Sequence, residues 1–175
     1  MTRLRPIAVV VLAVLVGACL TTFGLSIEAL VDAAACAVLV AVTVTDLERR
    51  VVPNRIIVPA FVVALVVQTI RDPSIEWIVA ALAASGFFLV AALIYPAGLG
   101  MGDVKMAAFL GAWLGAPVAV ALFAGVFLAV IPAIFILATQ GRAARKVGIP
   151  FAPFLAGGGV IALFWGDALL DAWLG

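Results

Sequence analysis

Two aspartates, Asp46 and Asp103, are the residues of this sequence best placed to carry out chemistry together. Asp46 ends one long apolar stretch and Asp103 begins another, so each lies where an apolar helix would meet water. Two neighbouring carboxyl groups do not both ionise readily, so one of them keeps its proton. The ionised member can take a proton from water while the protonated member donates to a carbonyl oxygen. The pair therefore predicts hydrolysis by an activated water.

The elements that must position these carboxylates are helices in a membrane. Hydrophobic residues make up 67% of the 175 residues and charged residues only 11%, whereas a soluble domain carries about 25% charged residues. Lipid cannot satisfy a bare backbone, so a spanning segment must be a helix or belong to a closed barrel. Long apolar runs without alternation favour helices. We therefore predict one all-α domain over residues 1–175, a polytopic membrane helical bundle.

The predicted bundle has about seven transmembrane segments. They cover residues 6–25, 27–45, 56–70, 75–96, 104–114, 117–139 and 151–170. The fifth is short, because a membrane helix needs about 20 apolar residues. In that segment Gly111 and the following Gly115 form a small-xxx-small pair, which predicts close helix packing.

Basic residues predict the orientation, because they concentrate in cytoplasmic loops. With a cytoplasmic N-terminus and seven crossings, Arg71 is the one basic residue outside. The basic residues on the cytoplasmic side are then Arg3, Arg5, Arg49, Arg50, Arg55, Lys105, Arg142, Arg145 and Lys146. The same charges favour a full crossing by the fifth segment, since otherwise the last three would lie outside.

This topology also divides the nine acidic residues. Asp46, Glu48 and Asp103 fall in the cytoplasmic half. The outer half holds Glu28, Asp32, Asp72, Glu76, Asp167 and Asp171. Simpler interpretations of the two central aspartates stay open at this point. Asp46 would close a helix in the headgroup region, and Asp103 would favour the positive end of a helix dipole.

Composition also limits the ligands. The formal net charge of +1 gives no reason to expect nucleic acid as a partner. With two cysteines and no histidine, a structural zinc site is not expected, because such sites need several Cys, His or acidic ligands. We expect Cys19 and Cys36 to be buried small hydrophobic residues. No metal or other cofactor is predicted.

The residues before Asp103 are rich in glycine. Gly100 and Gly102 reduce steric bulk near the carboxylate, so a peptide could approach it in an extended form. The run Gly100-Met101-Gly102-Asp103 matches the GxGD motif of intramembrane-type aspartic proteases, and with Val104-Lys105 it resembles the version found in type IV prepilin peptidases.

Two further runs carry the same resemblance. In residues 46–54, Asp46 is followed by Pro53-Asn54, as the first catalytic aspartate of that family is followed by Pro-Asn or Pro-Asp. Residues 149–156 are similar to an Ile-Pro-Phe-Gly-Pro-Phe stretch near the end of these enzymes, with Ala152 in place of the usual glycine. The resemblance covers nearly the whole chain but only the peptidase half of the larger members.

The resemblance implies an aspartic endopeptidase of the cell inner membrane. It would remove the leader of type IV prepilin or pseudopilin substrates at the cytoplasmic face, with Asp46 and Asp103 as catalytic residues. The residues that would support the site are Gly100, Gly102, Lys105, Pro53, Asn54, Pro150 and Pro153. Larger members carry a domain with Cys-x-x-Cys motifs linked to N-methylation, and nothing here matches it. The resemblance thus implies a short form without methyltransferase activity.

Several roles and alternatives stay open. Lys105 is either an interfacial lysine or a cation that stabilises an ionised carboxylate. Glu48 is expected to be an exposed loop acid instead of a contact for a basic leader. Pro150 and Pro153 are expected to shape the start of the last helix. An archaeal-type preflagellin peptidase is a close alternative. A transport component using Asp32 and a non-catalytic pilus or secretion component are the others.

Overall fold

The computed structural model of the protein describes residues 4–95, 98–140 and 149–175. Within these ranges it shows seven α-helices and no strand, which confirms the all-α prediction. The helices are α1 (Leu4–Phe23), α2 (Ile27–Arg49), α3 (Asn54–Arg71), α4 (Glu76–Ile94), α5 (Met101–Leu114), α6 (Val118–Gln140) and α7 (Ala152–Leu174). Each predicted segment corresponds to one helix. The positions used above for Arg3, Arg142, Arg145 and Lys146 lie outside the described residues, so the orientation stays a prediction.

The helices around the α2–α3 connection extend beyond the predicted segments. α2 continues to Arg49, beyond the predicted end at residue 45. The prediction was too short because hydropathy marks only the apolar part of a helix and misses its charged last turn. Arg50 then ends the helix in a left-handed conformation (φ 54°, ψ 41°) and donates its N–H to the Asp46 carbonyl over 2.8 Å. Pro53 caps the start of α3, where its missing N–H costs nothing. The connection is therefore only residues 50–53.

Six of the helices in the described ranges are long and apolar enough to cross a membrane. The exception is α5, whose 14 residues extend about 21 Å at 1.5 Å per residue, less than the roughly 30 Å hydrocarbon core. Met106, Ala107 and Leu110 of α5 have no exposed surface. Because α5 packs against α3, α4, α6 and α7, other helices surround it and its short length does not expose its backbone to lipid.

Close packing of α5 on α4 depends on Gly111. A methyl group at this position would lie 2.5 Å from the Ala80 carbonyl oxygen and 2.6 Å from the Ala81 Cα atom, so the two backbones touch. Gly115 also lies against α4, because a methyl group there would be 2.6 Å from the Glu76 Oε1 atom and 2.9 Å from the Trp77 ring. It caps the end of α5 with φ 68°, a conformation that glycine adopts readily. Both glycines therefore lie in close contact with α4, as the small-xxx-small pair predicted.

Polar contacts join α2, α3 and α5 at the end of the bundle remote from Asp46. Trp113 donates its indole N–H to Asp32 over 2.9 Å, and Gln68 donates to the Trp113 carbonyl over 2.6 Å. Arg71 donates to Gln68 over 3.0 Å and pairs with Glu28 at 2.7 Å. Asp32 is therefore a buried acid that holds α2 to α5. At the other end the same helices present Asp46, Asn54 and Asp103.

Candidate active site

Asp46, the first predicted catalytic residue, lies in the last turn of α2. Asp46 is only 7% exposed, although it lies three positions before Arg49, the last residue of the helix. The carboxylate is buried because α2 packs against α7. A buried carboxylate needs hydrogen-bond partners, and one of them comes from that neighbouring helix.

The partner is the first residue of α7. The backbone N–H of Ala152 donates to the Asp46 Oδ2 atom over 3.2 Å. The first N–H groups of a helix have no partner within the helix, and they carry its positive dipole end. The start of α7 therefore stabilises negative charge on Asp46. Pro153, the second residue of α7, suits this position because proline is tolerated in the first helical turn.

Asp103 lies in the first turn of α5. Gly100 is the N-cap, and its N–H donates to the Asp103 Oδ2 atom over 3.1 Å. This is one half of a capping box, in which an acidic residue in the first turn bonds back to the capping residue. Asp103 therefore caps its helix, as the simpler interpretation supposed. It is also only 9% exposed, so its carboxyl group is held in a fixed and largely dry position.

The two carboxyl groups interact electrostatically. Burial raises the pKa of Asp103 to about 6, the hydrogen bond from Gly100 lowers it, and the charge of Asp46 raises it. No hydrogen bond joins the two carboxyl groups. Asp46 and Asp103 are therefore two buried carboxyls at the ends of α2 and α5, and the charge of Asp46 raises the pKa of Asp103.

Two contacts tie the α2–α3 connection to the start of α5. A methyl group on Gly102 would lie 2.8 Å from the Val52 Cβ atom, so the connection rests directly on the glycine. Lys105 donates to the Asn54 Oδ1 atom over 2.8 Å. The predicted supporting residues Gly102, Lys105 and Asn54 are thus brought together. The Lys105 ammonium bonds to Asn54, and no ion pair joins it to Asp103.

The remaining predicted residues occupy the borders of this region. Pro53 is the N-cap of α3, and Pro150 lies in the half-buried segment before α7. Glu48 differs from the expectation of an exposed loop acid. It lies in the last turn of α2, is half-buried, and has one buried carboxylate oxygen without a hydrogen-bond partner among the residues that the structure describes.

Sequence reasoning missed the contributions of Ala152 and Val52. Ala152 supplies the hydrogen bond to Asp46 through its backbone N–H. Because nearly every residue carries this group, the residue type gave no indication of the contact. The similarity of residues 149–156 to a family stretch was the available signal, but it did not identify the atom involved.

Over the ranges that the structure describes, no cluster of three His, Cys, Asp or Glu residues could hold a metal ion.

Comparison with known proteins gives consistent matches. Residues 33–140 match the model of the type IV leader peptidase family. The chain is 33% identical over 174 residues to a "Prepilin leader peptidase/N-methyltransferase" of Bacillus subtilis, covering 97% of this chain and 69% of the relative. A protein of the same name from Legionella pneumophila is 30% identical, with 87% and 56% covered. A third, from Xanthomonas campestris, is 32% identical, with 78% and 50% covered. No solved structure matches.

Proposed function

Because this chain belongs to the type IV leader peptidase family, we propose that it is a membrane aspartic endopeptidase that removes the leader from type IV prepilin-like proteins. The observation that carries the proposal is the pair of buried carboxyl groups, Asp46 and Asp103, set at the ends of two apolar helices. The family match makes a peptidase the natural function of such a pair. The chain spans between half and about two thirds of the relatives described above, and the methyltransferase activity in their names is not part of the proposal.

The proposed reaction needs only the two carboxyls and water. The ionised carboxylate takes a proton from a water molecule, whose oxygen then bonds to the carbonyl carbon of the peptide. The protonated carboxyl donates its proton to the carbonyl oxygen. Collapse of the resulting tetrahedral intermediate breaks the C–N bond, and a proton passes to the leaving amine. The two carboxyls thus exchange roles as acid and base.

The two carboxyls have similar surroundings. Each is buried, which favours the protonated form, and each accepts a backbone N–H, Asp46 from Ala152 and Asp103 from Gly100, which favours the charged form. Such a pair can hold one proton between its two members. Gly100 places no side chain beside the Asp103 carboxyl, where a methyl group would lie 3.6 Å from the Oδ2 atom.

We further propose that the site lies at the cytoplasmic face of the cell inner membrane. Arg49, Arg50 and Arg55 cluster near the same end of the bundle as Asp46, as expected for cytoplasmic loops. A substrate cut there has a leader in water and an apolar segment in the bilayer. This description fits a prepilin-type precursor with a short leader before an apolar helix.

Asparagine substitutions provide the direct test. Asp46→Asn and Asp103→Asn keep an oxygen that can accept the hydrogen bonds from Ala152 and Gly100, while removing the proton exchange. Purified wild type and both variants are incubated with a prepilin in lipid, and products are read by mass spectrometry. We expect one cut at the leader boundary with wild type and none with either folded variant. Substantial cleavage by either variant contradicts the mechanism, and strong inhibition by a chelator would indicate a metal enzyme instead.

A further inference from the structure

An apolar groove on the outside of the bundle plays no part in the mechanism proposed above. It has a volume of about 360 Å³ and lies between α1, α2 and α7, within the roughly 300–1,000 Å³ typical of ligand sites. We call it the α1–α2–α7 groove. Its lining includes Ile7, Val11, Leu39, Thr43, Leu47 and Pro153.

The floor of the groove is formed by α2, with Val40 and Val44 beside a stripe of three residues about one helical turn apart. Leu39, Thr43 and Leu47 recur every four residues, so they lie on one face of the helix. From Leu39 to Leu47 this stripe is about 12 Å long at 1.5 Å per residue. The groove can therefore hold about two turns of another helix lying along α2.

One end of the groove adjoins the candidate catalytic pair. Leu47 follows Asp46 directly in the chain, and Pro153 follows Ala152, whose N–H bonds to Asp46. The other end, at Leu39, lies two helical turns deeper in the bundle. Asp46 and Asp103 do not line the groove, and its Leu47 end is one residue of α2 away from Asp46.

The chemistry of the groove fits an apolar helix. No charged side chain lines it, and Thr43 carries its one hydroxyl group. Small residues, Ala8, Ala156 and Gly157, form part of its walls, and such residues let helix backbones approach closely in membranes. Ile7 is 58% and Leu47 46% exposed, so the described part of the chain leaves this surface available to a partner.

We propose that the α1–α2–α7 groove seats the apolar membrane helix that follows the scissile bond of the substrate. The proposal rests on the proposed function and adds the place where the substrate's membrane segment binds. Packing into the groove holds one face of that helix, because ridges of one helix fit between those of its neighbours. The peptide before the helix then extends past Leu47 to Asp46 and Asp103. Lipid alone or a second copy of this chain are the competing occupants.

Cross-linking tests the location without requiring cleavage. The two native cysteines are first removed by Cys19→Ala and Cys36→Ala. One variant then carries Thr43→Cys, at a position in the groove, and the control carries Val62→Cys. Val62 lies on α3, outside the groove, and is 51% exposed. The probe is a prepilin-type precursor with one cysteine in the first turns of its apolar helix, reconstituted with the enzyme in lipid. We expect a cross-link to position 43 and none to position 62. Cross-linking only at 62, only between two copies of the enzyme, or at neither position overturns the proposal.

Filling the groove tests its effect on catalysis. Thr43→Trp should raise KM about tenfold or more and leave kcat unchanged, because van der Waals packing in the groove supports substrate binding. Val62→Trp, outside the groove, should behave as wild type. An unchanged KM in folded Thr43→Trp overturns the proposal. If wild type cleaves nothing, the proposed function fails, while the cross-linking result still decides whether the groove binds the apolar helix.

Discussion

Substitution of Gly111 by alanine provides a sharp test of how α5 is positioned. The added methyl group would lie 2.5 Å from the Ala80 carbonyl oxygen and 2.6 Å from the Ala81 Cα atom, whereas ordinary contacts begin at 3.4 Å. The neighbouring atoms belong to the α4 backbone, so no side chain can rotate away. The two helices must therefore separate by roughly 1 Å at this contact, a form of overpacking.

The expected loss of stability follows from this clash. Overpacking costs about 1–3 kcal/mol, and we expect the upper end because backbone atoms are involved. For a chain of this size each kcal/mol lowers Tm by about 2–4 °C, which gives a decrease of roughly 6–12 °C. Gly86→Ala in α4 is the matched control, because nothing lies within 4 Å of its added methyl group. Both substitutions gain the same helix propensity, about 1 kcal/mol, so their difference isolates the clash.

The two native cysteines allow the unfolding temperature to be measured. Cys19 and Cys36 are free and have no exposed surface, so a thiol-reactive dye added to protein in detergent reports unfolding during heating. Gly111→Ala should also lower peptidase activity, because Asp103 lies on the same short helix and a displacement of about 1 Å can cost about 100-fold in rate. If Gly111→Ala and Gly86→Ala unfold at the same temperature, the backbone contact does not limit the packing of α5.

Two further predictions concern the chemistry of the site. The value of kcat/KM should fall as pH rises through about 6, because the raised pKa of Asp103 keeps a proton on the pair below that pH and deprotonation removes the acid; a flat profile from pH 5 to 8 with a substrate lacking groups that titrate there would contradict this. Lys105→Ala and Asn54→Ala should each lower kcat/KM by about 2–10-fold, since a hydrogen bond contributes about 0.5–1.5 kcal/mol. The double variant should lose no more than either single variant, and additive losses would show that the two residues act separately.

Local sequence signals predicted the helices well and their ends less well. The long apolar runs of α1 and α6 are helices in the structure, because a spanning backbone must satisfy itself with internal hydrogen bonds. The end of α2 extends past Thr45, because the cap formed by Arg50 depends on backbone conformation and not on hydropathy. Glu48 was misplaced for the same reason, and it belongs to the last helical turn.

The partners of the candidate site residues could not be predicted in the same way. For Lys105 the sequence left open an interfacial position or a role in stabilising a carboxylate, and in the structure its ammonium bonds to Asn54, which begins a different helix. The contact between Gly102 and Val52 likewise joins two segments that are distant in the chain. Such contacts depend on how α2, α3 and α5 pack, and a local pattern contains no information about that packing.

The sequence by itself determined that this protein is an all-α membrane protein, that it has seven helical segments, and that Asp46 and Asp103 lie at helix ends. These features follow from local composition, because hydropathy and the backbone's need for hydrogen bonds act within each segment. Only the tertiary structure decided that the start of α7 bonds to Asp46, that α5 packs against four other helices, and that an apolar groove lies between α1, α2 and α7. The physical reason is that burial and close contact arise between helices, where small residues such as Gly111 set the distance between backbones.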